Sequence, residues 1–280
     1  MANHDLIQQA AEIVRRAEAL LITAGAGMGV DSGLPDFRGN SGFWRAYPAL
    51  EGYAFEEMAN PRWFSVDPHR AWGFYGHRLN LYREIEPHRG FSILKAWSER
   101  CVSPSAIFTS NVDGQFQKAG FSEEMIVECH GSIHYLQELK SHGDIVSADT
   151  IQIEINEPEL RALDPLPALP GLKGVLRPNI LMFGDWTWNG ERTLRQEQRL
   201  NDWIETHSGS RVVIIEMGAG TTIPSVRYQS ESFLSQAPHA SLIRINPREA
   251  HIPERLKPRG LSLYTGALEA LILIDEALQS

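Results

Sequence analysis

Ala24-Gly25-Ala26-Gly27-Met28-Gly29-Val30-Asp31-Ser32-Gly33-Leu34-Pro35-Asp36-Phe37-Arg38-Gly39 follows the apolar run Ala19-Leu20-Leu21-Ile22-Thr23. The run reads as a buried strand, and four glycines then fall within nine residues. Glycine admits close backbone approach and positive φ. A strand entering such a turn predicts backbone N–H groups aimed at a phosphate. The spacing departs from the dinucleotide fingerprint GxGxxG, so the glycines alone do not fix the ligand. The tail Pro35-Asp36-Phe37-Arg38 sets a rigid residue, a carboxylate, a ring and a guanidinium side by side. Such a cluster can pair with phosphate, order a loop and shield a reacting centre.

Bulk properties narrow the class. The 280 residues fit one large domain, or one core with a smaller insertion. Formal charge −9 argues against nucleic acid as a general partner, although a locally positive pocket can still hold an anionic small molecule. The two cysteines, Cys101 and Cys129, cannot form a disulfide scaffold and suit a reducing compartment. The first residues lack signal-peptide character and no apolar run is long enough for a bilayer. The expectation is a cytoplasmic protein with no membrane partner.

Residues 5–19 read as an amphipathic helix through Ile7, Ala11, Val14 and Ala17. Short buried strands are expected at 105–109, 125–128, 179–183, 211–216 and 241–245, with helices around 89–100, 111–119, 191–205 and 266–279. This alternation predicts an α/β fold with a mostly parallel sheet and helices on both faces. Ligands then sit beyond the carboxyl ends of the strands. Two stretches break the pattern. Residues 40–88, aromatic and without a clear strand, read as a helical insertion. Residues 133–175, with several prolines and one possible strand at 151–155, read as a small irregular lobe.

Candidate polar groups follow the strands. Asn111 and Asp113, in Thr109-Ser110-Asn111-Val112-Asp113, can hold an amide or ribose hydroxyls, or simply cap a helix. His130 in Cys129-His130-Gly131-Ser132 is a candidate general base, with a structural histidine as the plainer alternative. Cys129 reads as a small buried residue rather than a nucleophile. Glu216-Met217-Gly218-Ala219-Gly220-Thr221-Thr222 is a second glycine turn, suited to the other end of a dinucleotide. Asn246 before Pro247 can bond a ribose hydroxyl or cap a turn.

Taken in order, these motifs resemble the sirtuins, NAD-dependent protein lysine deacylases, from Ala19 to the last helix. The carriers are Gly25-Ala26-Gly27-Met28-Gly29-Val30-Asp31-Ser32-Gly33-Leu34-Pro35-Asp36-Phe37-Arg38, then Thr109-Ser110-Asn111-Val112-Asp113, His130-Gly131-Ser132 and Arg177-Pro178-Asn179-Ile180-Leu181-Met182-Phe183-Gly184-Asp185. The resemblance implies one catalytic domain over 1–280, with a Rossmann-like sheet, and NAD as cofactor. It implies that Gly25, Ala26, Gly27, Asp36, Phe37, Arg38, Ser110, Asn111, Asp113, Gly218, Thr221 and Asn246 contact NAD. Within that set Asn111 and Asp113 would hold the nicotinamide ribose and carboxamide, and Phe37 would shield C1′. His130 would deprotonate a ribose hydroxyl. The products would be free lysine, nicotinamide and O-acyl-ADP-ribose, from an acylated protein or peptide partner. Phe183 and Gly184 would line the acyl-lysine channel.

Three departures follow. Most sirtuins carry four zinc cysteines; here the matching places fall near Glu138, His142, Leu169 and Leu172, so no metal is expected. Leu169, Leu172 and Ile153 would then hold the lobe together. Ser110 stands for the usual glutamine, Gly29 for a serine, and Gly218-Ala219-Gly220 for a common GTS turn. NAD contacts are then weaker, or compensated by Thr221 and Thr222. Finally, Tyr75 and Arg78 form a Tyr-x-x-Arg pair like that of class III sirtuins, which act on succinyl, malonyl or glutaryl lysine. On a helix the two share a face and could grip a carboxylate. The plainer alternative packs Tyr75 in the core with Arg78 in solvent. The pair places acidic acyl groups just ahead of acetyl. The competing functions are an NAD glycohydrolase or ADP-ribosyltransferase on the same scaffold, and a non-catalytic NAD sensor.

Overall fold

In the computed structural model, residues 2–35, 39–140, 143–168 and 174–280 are described. Of the candidate residues, Asp36, Phe37, Arg38, His142, Leu169 and Leu172 lie outside the described residues.

The central sheet holds β1 (Ala19–Ala24), β2 (Ala106–Thr109), β3 (Ile126–Glu128), β9 (Val212–Met217), β10 (Ser241–Ile245) and β11 (Gly260–Leu263). Between them in sequence come β4 (Gly131–Gln137), β5 (Val146–Ser147), β6 (Ile155–Asn156), β7 (Arg161–Ala162) and β8 (Arg177–Ile180). The central order is β11-β10-β9-β1-β2-β3, with every pairing parallel. Parallel strands need crossovers, which place helices on the faces and bury both sides of the sheet. Strand β1 is accordingly buried at all six positions.

Its alternate residues serve different layers. Leu20, Ile22 and Ala24 join the cluster containing residues of α1 (Ala2–Arg15), α6 (Arg89–Arg100) and α10 (Ala267–Gln279). Ala19 and Leu21 join the cluster with residues of α8 (Glu191–His207) and α9 (Ser225–Gln236). The period-two direction of side chains along a strand thus builds two helical layers from one apolar run.

A third cluster is aromatic and lies apart from the central sheet. It gathers Phe43 and Trp72, Phe74, Tyr75 and Tyr82 with Leu136, Ile153, Leu160 and Ile180. Its helices are α2 (Gly39–Ala46), α3 (Phe55–Met58), α4 (Trp63–Val66) and α5 (Pro68–Glu84). Its strands form the antiparallel sheet β5-β4-β8 and the pair β6–β7. The remaining helix, α7 (Gln115–Lys118), is a single turn.

Several expectations are corrected. The segment expected as a central strand at 179–183 is instead β8, which ends at Ile180 and pairs antiparallel with β4. Ile180 and Met182 are buried in the aromatic cluster while Leu181 is exposed, and an apolar run alone does not reveal which sheet a strand joins. The strand expected at 151–155 shrinks to β6. The first helix ends at Arg15 rather than 19, because Ala19 already pairs with Val212. The helix expected over 111–119 reduces to α7: Thr109 ties the chain to the end of β1 and to Asn111 N, and Asp113 accepts from Gln115 N at the helix start. Helix α9 and strand β11 were not anticipated. In α9 the buried positions include Arg227 and Ser230 alongside Val226, Phe233 and Leu234, which blurs the apolar stripe.

Helix α5 is the seam between the aromatic helices and the small sheets. A Cβ at Gly73 would overlap the Leu160 carbonyl, and one at Gly76 would come within 2.8 Å of Ile153 Cγ2. Polar ties run along the same face. Trp72 Nε1 donates to Leu176 O at 2.8 Å, Asn80 Nδ2 to Ile153 O at 2.9 Å, and Arg83 Nη1 to Ile151 O at 2.6 Å. Arg161 forms a bidentate pair with Asp67 at 2.8 and 2.9 Å, which caps the helix start.

In an exposed helix, Gly→Ala gains about 1 kcal/mol from propensity. At Gly73 the added methyl must displace backbone, and overpacking of that kind costs about 3 kcal/mol. Gly73→Ala should therefore destabilise on balance, by about 2 kcal/mol. A urea titration checks this: the midpoint should fall with an unchanged slope.

Candidate active site

Two glycine turns leave neighbouring strands and touch through their backbones. Strands β1 and β9 are paired in register from Ala19↔Val212 to Ala24↔Met217, so both chains turn at the same level. Gly25 N–H donates to Met217 O at 2.9 Å and Gly27 N–H to Gly218 O at 3.1 Å. A Cβ at Gly25 would lie 2.8 Å from Gly218 O. One at Gly218, where φ is +61°, would overlap Gly27 C and Met28 N. The glycines are needed first for this mutual approach.

That contact changes which amides remain for a ligand. The N–H groups of Gly25, Gly27, Met28 and Gly29 all bond inside the turns. Among the described residues, Ala26 N–H has no partner, and Ala26 is exposed at the start of a short 3₁₀ turn. In the second turn the carbonyls are held from behind. Arg227 donates to Ala219 O at 3.0 Å and Gly220 O at 3.2 Å, and also to Glu249 O. Asn246 Nδ2 adds a bond to Ala219 O at 2.9 Å. In a planar trans peptide the N–H points opposite the C=O. The Gly220 and Thr221 amides therefore face away from Arg227, and neither has a partner among the described residues.

Asn246 is thus committed to the fold: its Oδ1 accepts from Arg248 N and Glu249 N at 3.0 and 2.9 Å. Thr221 Oγ1 donates to Glu249 Oε1 at 2.5 Å. Thr222 is exposed. Arg227 escaped the sequence reading together with its helix. A cation seven residues beyond a glycine turn was the available signal.

From β2, Thr109 Oγ1 donates to Ala24 O at 3.0 Å and accepts from Asn111 N at 3.0 Å. Asn111 Nδ2 then reaches Gly25 O at 3.1 Å, and Ser110 N–H bonds Ala24 O at 3.1 Å. The Asn111 amide is thereby laid against the first glycine turn. Asp113 is buried and accepts from Gln115 N at 2.9 Å. Burial pushes its carboxyl up to about 6; the Gln115 amide and, more weakly, the Arg78 guanidinium work against the rise, while Glu128 adds to it. With Tyr82, Ser132 and His134, Asp113 also walls a cavity of about 330 Å³.

His130 follows β3 and is half-buried. Burial holds its pKa below the ordinary value, against a hydrogen bond to the Ser110 backbone that favours the charged ring. A ring that donates to a carbonyl and stays neutral has its other nitrogen free to accept a proton. Nε2 lies 3.4 Å from Ser225 Oγ, a neighbour the sequence reading missed because α9 was not read. Cys129 is nearly buried and its thiol is pushed up to about 12, so it stays protonated near neutrality.

The chain after β8 runs beside His130: Leu181 N–H donates to His130 O at 2.9 Å. Phe183 N–H donates to Ala59 O at 2.9 Å, and its ring meets Phe55 edge-on at 6.1 Å. Gly184 is exposed. The turn is fixed by Asp185, whose Oδ2 pairs with Arg177 at 2.7 Å with both side chains fully buried. Its Oδ1 accepts from Thr187 N at 3.1 Å.

Tyr75 and Arg78 lie together in the aromatic cluster. Arg78 is 6% exposed, so the alternative that set it in solvent is corrected. Its Nε donates to Tyr82 Oη at 3.0 Å, and the guanidinium sits over Phe74, Tyr75 and Tyr82 at 5.3, 5.6 and 5.4 Å. These quadrupoles stabilise a cation removed from water. Burial pushes the Tyr75 phenol up to about 12, so it remains a hydrogen-bond donor.

Among the described residues, no group of three or more His, Cys, Asp or Glu side chains could hold a metal ion. Between His130 and Arg177 there is no cysteine. That donor set does not fit a tetrahedral zinc site. The unpartnered amides around two interlocked glycine turns do fit an anionic dinucleotide. Among the described residues no helix is long and apolar enough to cross a membrane.

Comparison with known proteins agrees with this arrangement. A protein from Thermococcus kodakarensis named NAD-dependent protein deacylase is 32% identical over 188 residues, covering 64% of this chain and 65% of the relative. The match thus spans just under two thirds of that relative's length. A Thermus thermophilus protein of the same name is 25% identical over 272 residues, covering 96% of this chain and 93% of the relative. A crystal structure of a Sir2 homolog–NAD complex superposes with a TM-score of 0.70 at 23% identity, covering 97% of this chain and 93% of that one. The family model described as Sir2 family matches residues 25–213, from the first glycine turn into β9, and the chain belongs to that family.

Proposed function

We propose that this protein is an NAD-dependent protein lysine deacylase, releasing nicotinamide and transferring the acyl group to ADP-ribose. The observation that carries the reading is convergence. A neutral, half-buried imidazole, a buried carboxyl and an amide all stand at the carboxyl ends of adjacent strands, beside two interlocked glycine turns. The names of the relatives, NAD-dependent protein deacylase, supply the reaction class.

NAD, when bound, supplies an activated glycosidic bond whose cleavage leaves an electrophilic ribose carbon. The chain's own residues do the rest. The Ala26 amide and the outward amides of the second turn bind phosphate. Asn111, held on Gly25 O, and Asp113 orient the nicotinamide end. His130, neutral because it is buried, takes a proton from a ribose hydroxyl. Burial of Asp113 and His130 keeps the surroundings poor in water, where fixed dipoles act strongly. Asp36, Phe37 and Arg38 complete the site in this reading. The turn at Phe183 and Gly184 receives an acylated peptide, with Phe183 beside the acyl chain.

The Tyr75–Arg78 pair supports an acidic acyl group within the same reading. A guanidinium held on aromatic faces carries several N–H donors, two of which can bind one carboxylate side by side. Arg78 bears, weakly, on the protonation of Asp113, which supports a location for the pair near the nicotinamide end in this reading. We also propose that contacts along α5 hold the residue 133–175 lobe without metal, with Ile153 buried against Gly76.

Mass spectrometry of products from NAD with acetyl- and succinyl-lysine peptides tests the central claim. Nicotinamide should appear only with an acylated peptide, and His130→Ala should lower turnover by about 10²–10⁴-fold. NAD cleavage without peptide would instead favour a glycohydrolase. Tight NAD binding without turnover would favour a sensor.

Activity should fall with acid. His130 must be neutral, and its lowered pKa keeps it so to below its ordinary value near 6.5. A pH profile of kcat/KM should therefore stay level down to about pH 6.5 and drop below it, where the Asp113 carboxyl, near 6, also takes up its proton.

Arg78→Met should reduce the ratio of desuccinylase to deacetylase activity by about tenfold or more, the worth of a hydrogen bond to a charged group. Chelator treatment should leave both the thermal midpoint and turnover unchanged, and metal analysis should find no stoichiometric zinc.

A further inference from the structure

His88 lies outside the groups considered so far, yet every polar atom it offers to the first glycine turn or to its own helix is in use. It stands at the start of α6, and its Nδ1 accepts from Gly90 N–H at 2.9 Å as the helix cap. A nitrogen that accepts an N–H carries no proton, so in the neutral ring the proton is on Nε2. Nε2 then donates to Met28 O at 2.9 Å. The His88 backbone N–H adds a bond to Ser32 Oγ at 3.0 Å. Two bonds therefore run from one residue to both ends of the Met28–Ser32 segment. The ring is confined by Phe91, 4.9 Å away between centroids, and by Gly90, where a Cβ would lie 2.6 Å from His88 Cε1.

We propose that His88 is a positioning residue for the dinucleotide turn: its Nε2–H holds the Met28 carbonyl and so fixes the chain that carries the Ala26 amide, while its Nδ1 independently caps α6. The assignment rests on the reading that this turn receives NAD. Burial favours the neutral ring, which the Nδ1 acceptor bond requires; the Nε2–H bond to Met28 O and, more weakly, the Asp31 carboxylate on the same turn favour the charged one. The two nitrogens have separate duties, which makes the proposal separable by substitution. Asparagine places an acceptor where Nδ1 stands and is a preferred N-cap, but it is too short to reach Met28. Glutamine can extend an amide donor toward Met28 while giving up the compact cap.

The test compares His88→Asn and His88→Gln in the whole chain. His88→Asn should keep the thermal midpoint, raise the KM for NAD about fivefold (the worth of one hydrogen bond) and leave kcat within about twofold. His88→Gln should show the reverse, with a lowered midpoint and a near-normal KM for NAD. Hydrogen exchange of the amides at residues 25–33, measured without NAD, should rise in His88→Asn and not in His88→Gln. An unchanged KM and unchanged exchange in His88→Asn would overturn the proposal, as would parallel losses of midpoint and KM in both variants. If the wild-type chain fails to bind NAD while exchange still separates the two variants, the positioning role stands and the cofactor reading falls.

Discussion

The contact on which this structure turns is backbone against backbone, where the chain after β1 meets the chain after β9. Gly27 N–H bonds Gly218 O, and neither Gly25 nor Gly218 has room for a methyl group. In-register pairing of the two strands brings both turns to one level, so they compete for the same space. Only glycine resolves that competition without moving a strand. Everything further out is referred to this point. Asn111 reaches Gly25 O, Asn246 and Arg227 hold Ala219 O, and His88 holds Met28 O.

Around that point the polar groups fall into two populations. One is fully committed to the fold. Arg244 binds Glu216 in bidentate fashion at 2.6 and 2.9 Å, and Arg177 binds Asp185 at 2.7 Å, all almost without exposure. Ion pairs so buried lose hydration that their mutual attraction only partly restores, and removing one partner leaves a stranded charge. Their effect here is geometric. One lies on the strands that lead into the second glycine turn, and the other fixes the turn that carries Phe183. The second population is His130, Asp113 and the outward amides, which retain unused capacity. Rigid pairs behind and unspent groups in front are what a preorganised site requires.

Five strands of the central sheet were legible because they are buried on both faces and need no partner to declare themselves, β10 to the residue; β11, buried only at alternate positions, was not. The small sheets were not. Residues 179–183 carry the same kind of apolar run, yet they belong to β8, because sheet membership depends on which surface is left to cover. Helix α9 escaped for a related reason. Its inner face includes Arg227 and Ser230, which serve a turn and a strand rather than an apolar layer. In the site, residue types after strands pointed to Asn111, Asp113 and His130, but not to what they bond. That the glycine amides would be consumed by each other depends on strand register, which the sequence does not carry. Ser225 and His88 reach the site from helix starts far along the chain, and only the fold brings them near.

The same reasoning bears on how the lobe is attached. A zinc staple supplies rigidity to a segment too short to bury its own core. Here that segment is pressed into α5, where Gly73 and Gly76 remove two side chains from the helix surface and admit Leu160 and Ile153. Four side chains of α5, His69, Trp72, Asn80 and Arg83, then bond carbonyls of the incoming segment. Close approach of this kind is directional, since a notch accepts one register and excludes its neighbours. Leu160 adopts φ +49° at the deepest point, a conformation unfavourable for a leucine and sustained by the packing around it. The helix that carries Tyr75 and Arg78 is therefore also the one that orients the lobe. The acyl-group recognition proposed for this pair would then share one element with the attachment of the lobe, so a change on one face of α5 would be felt on the other.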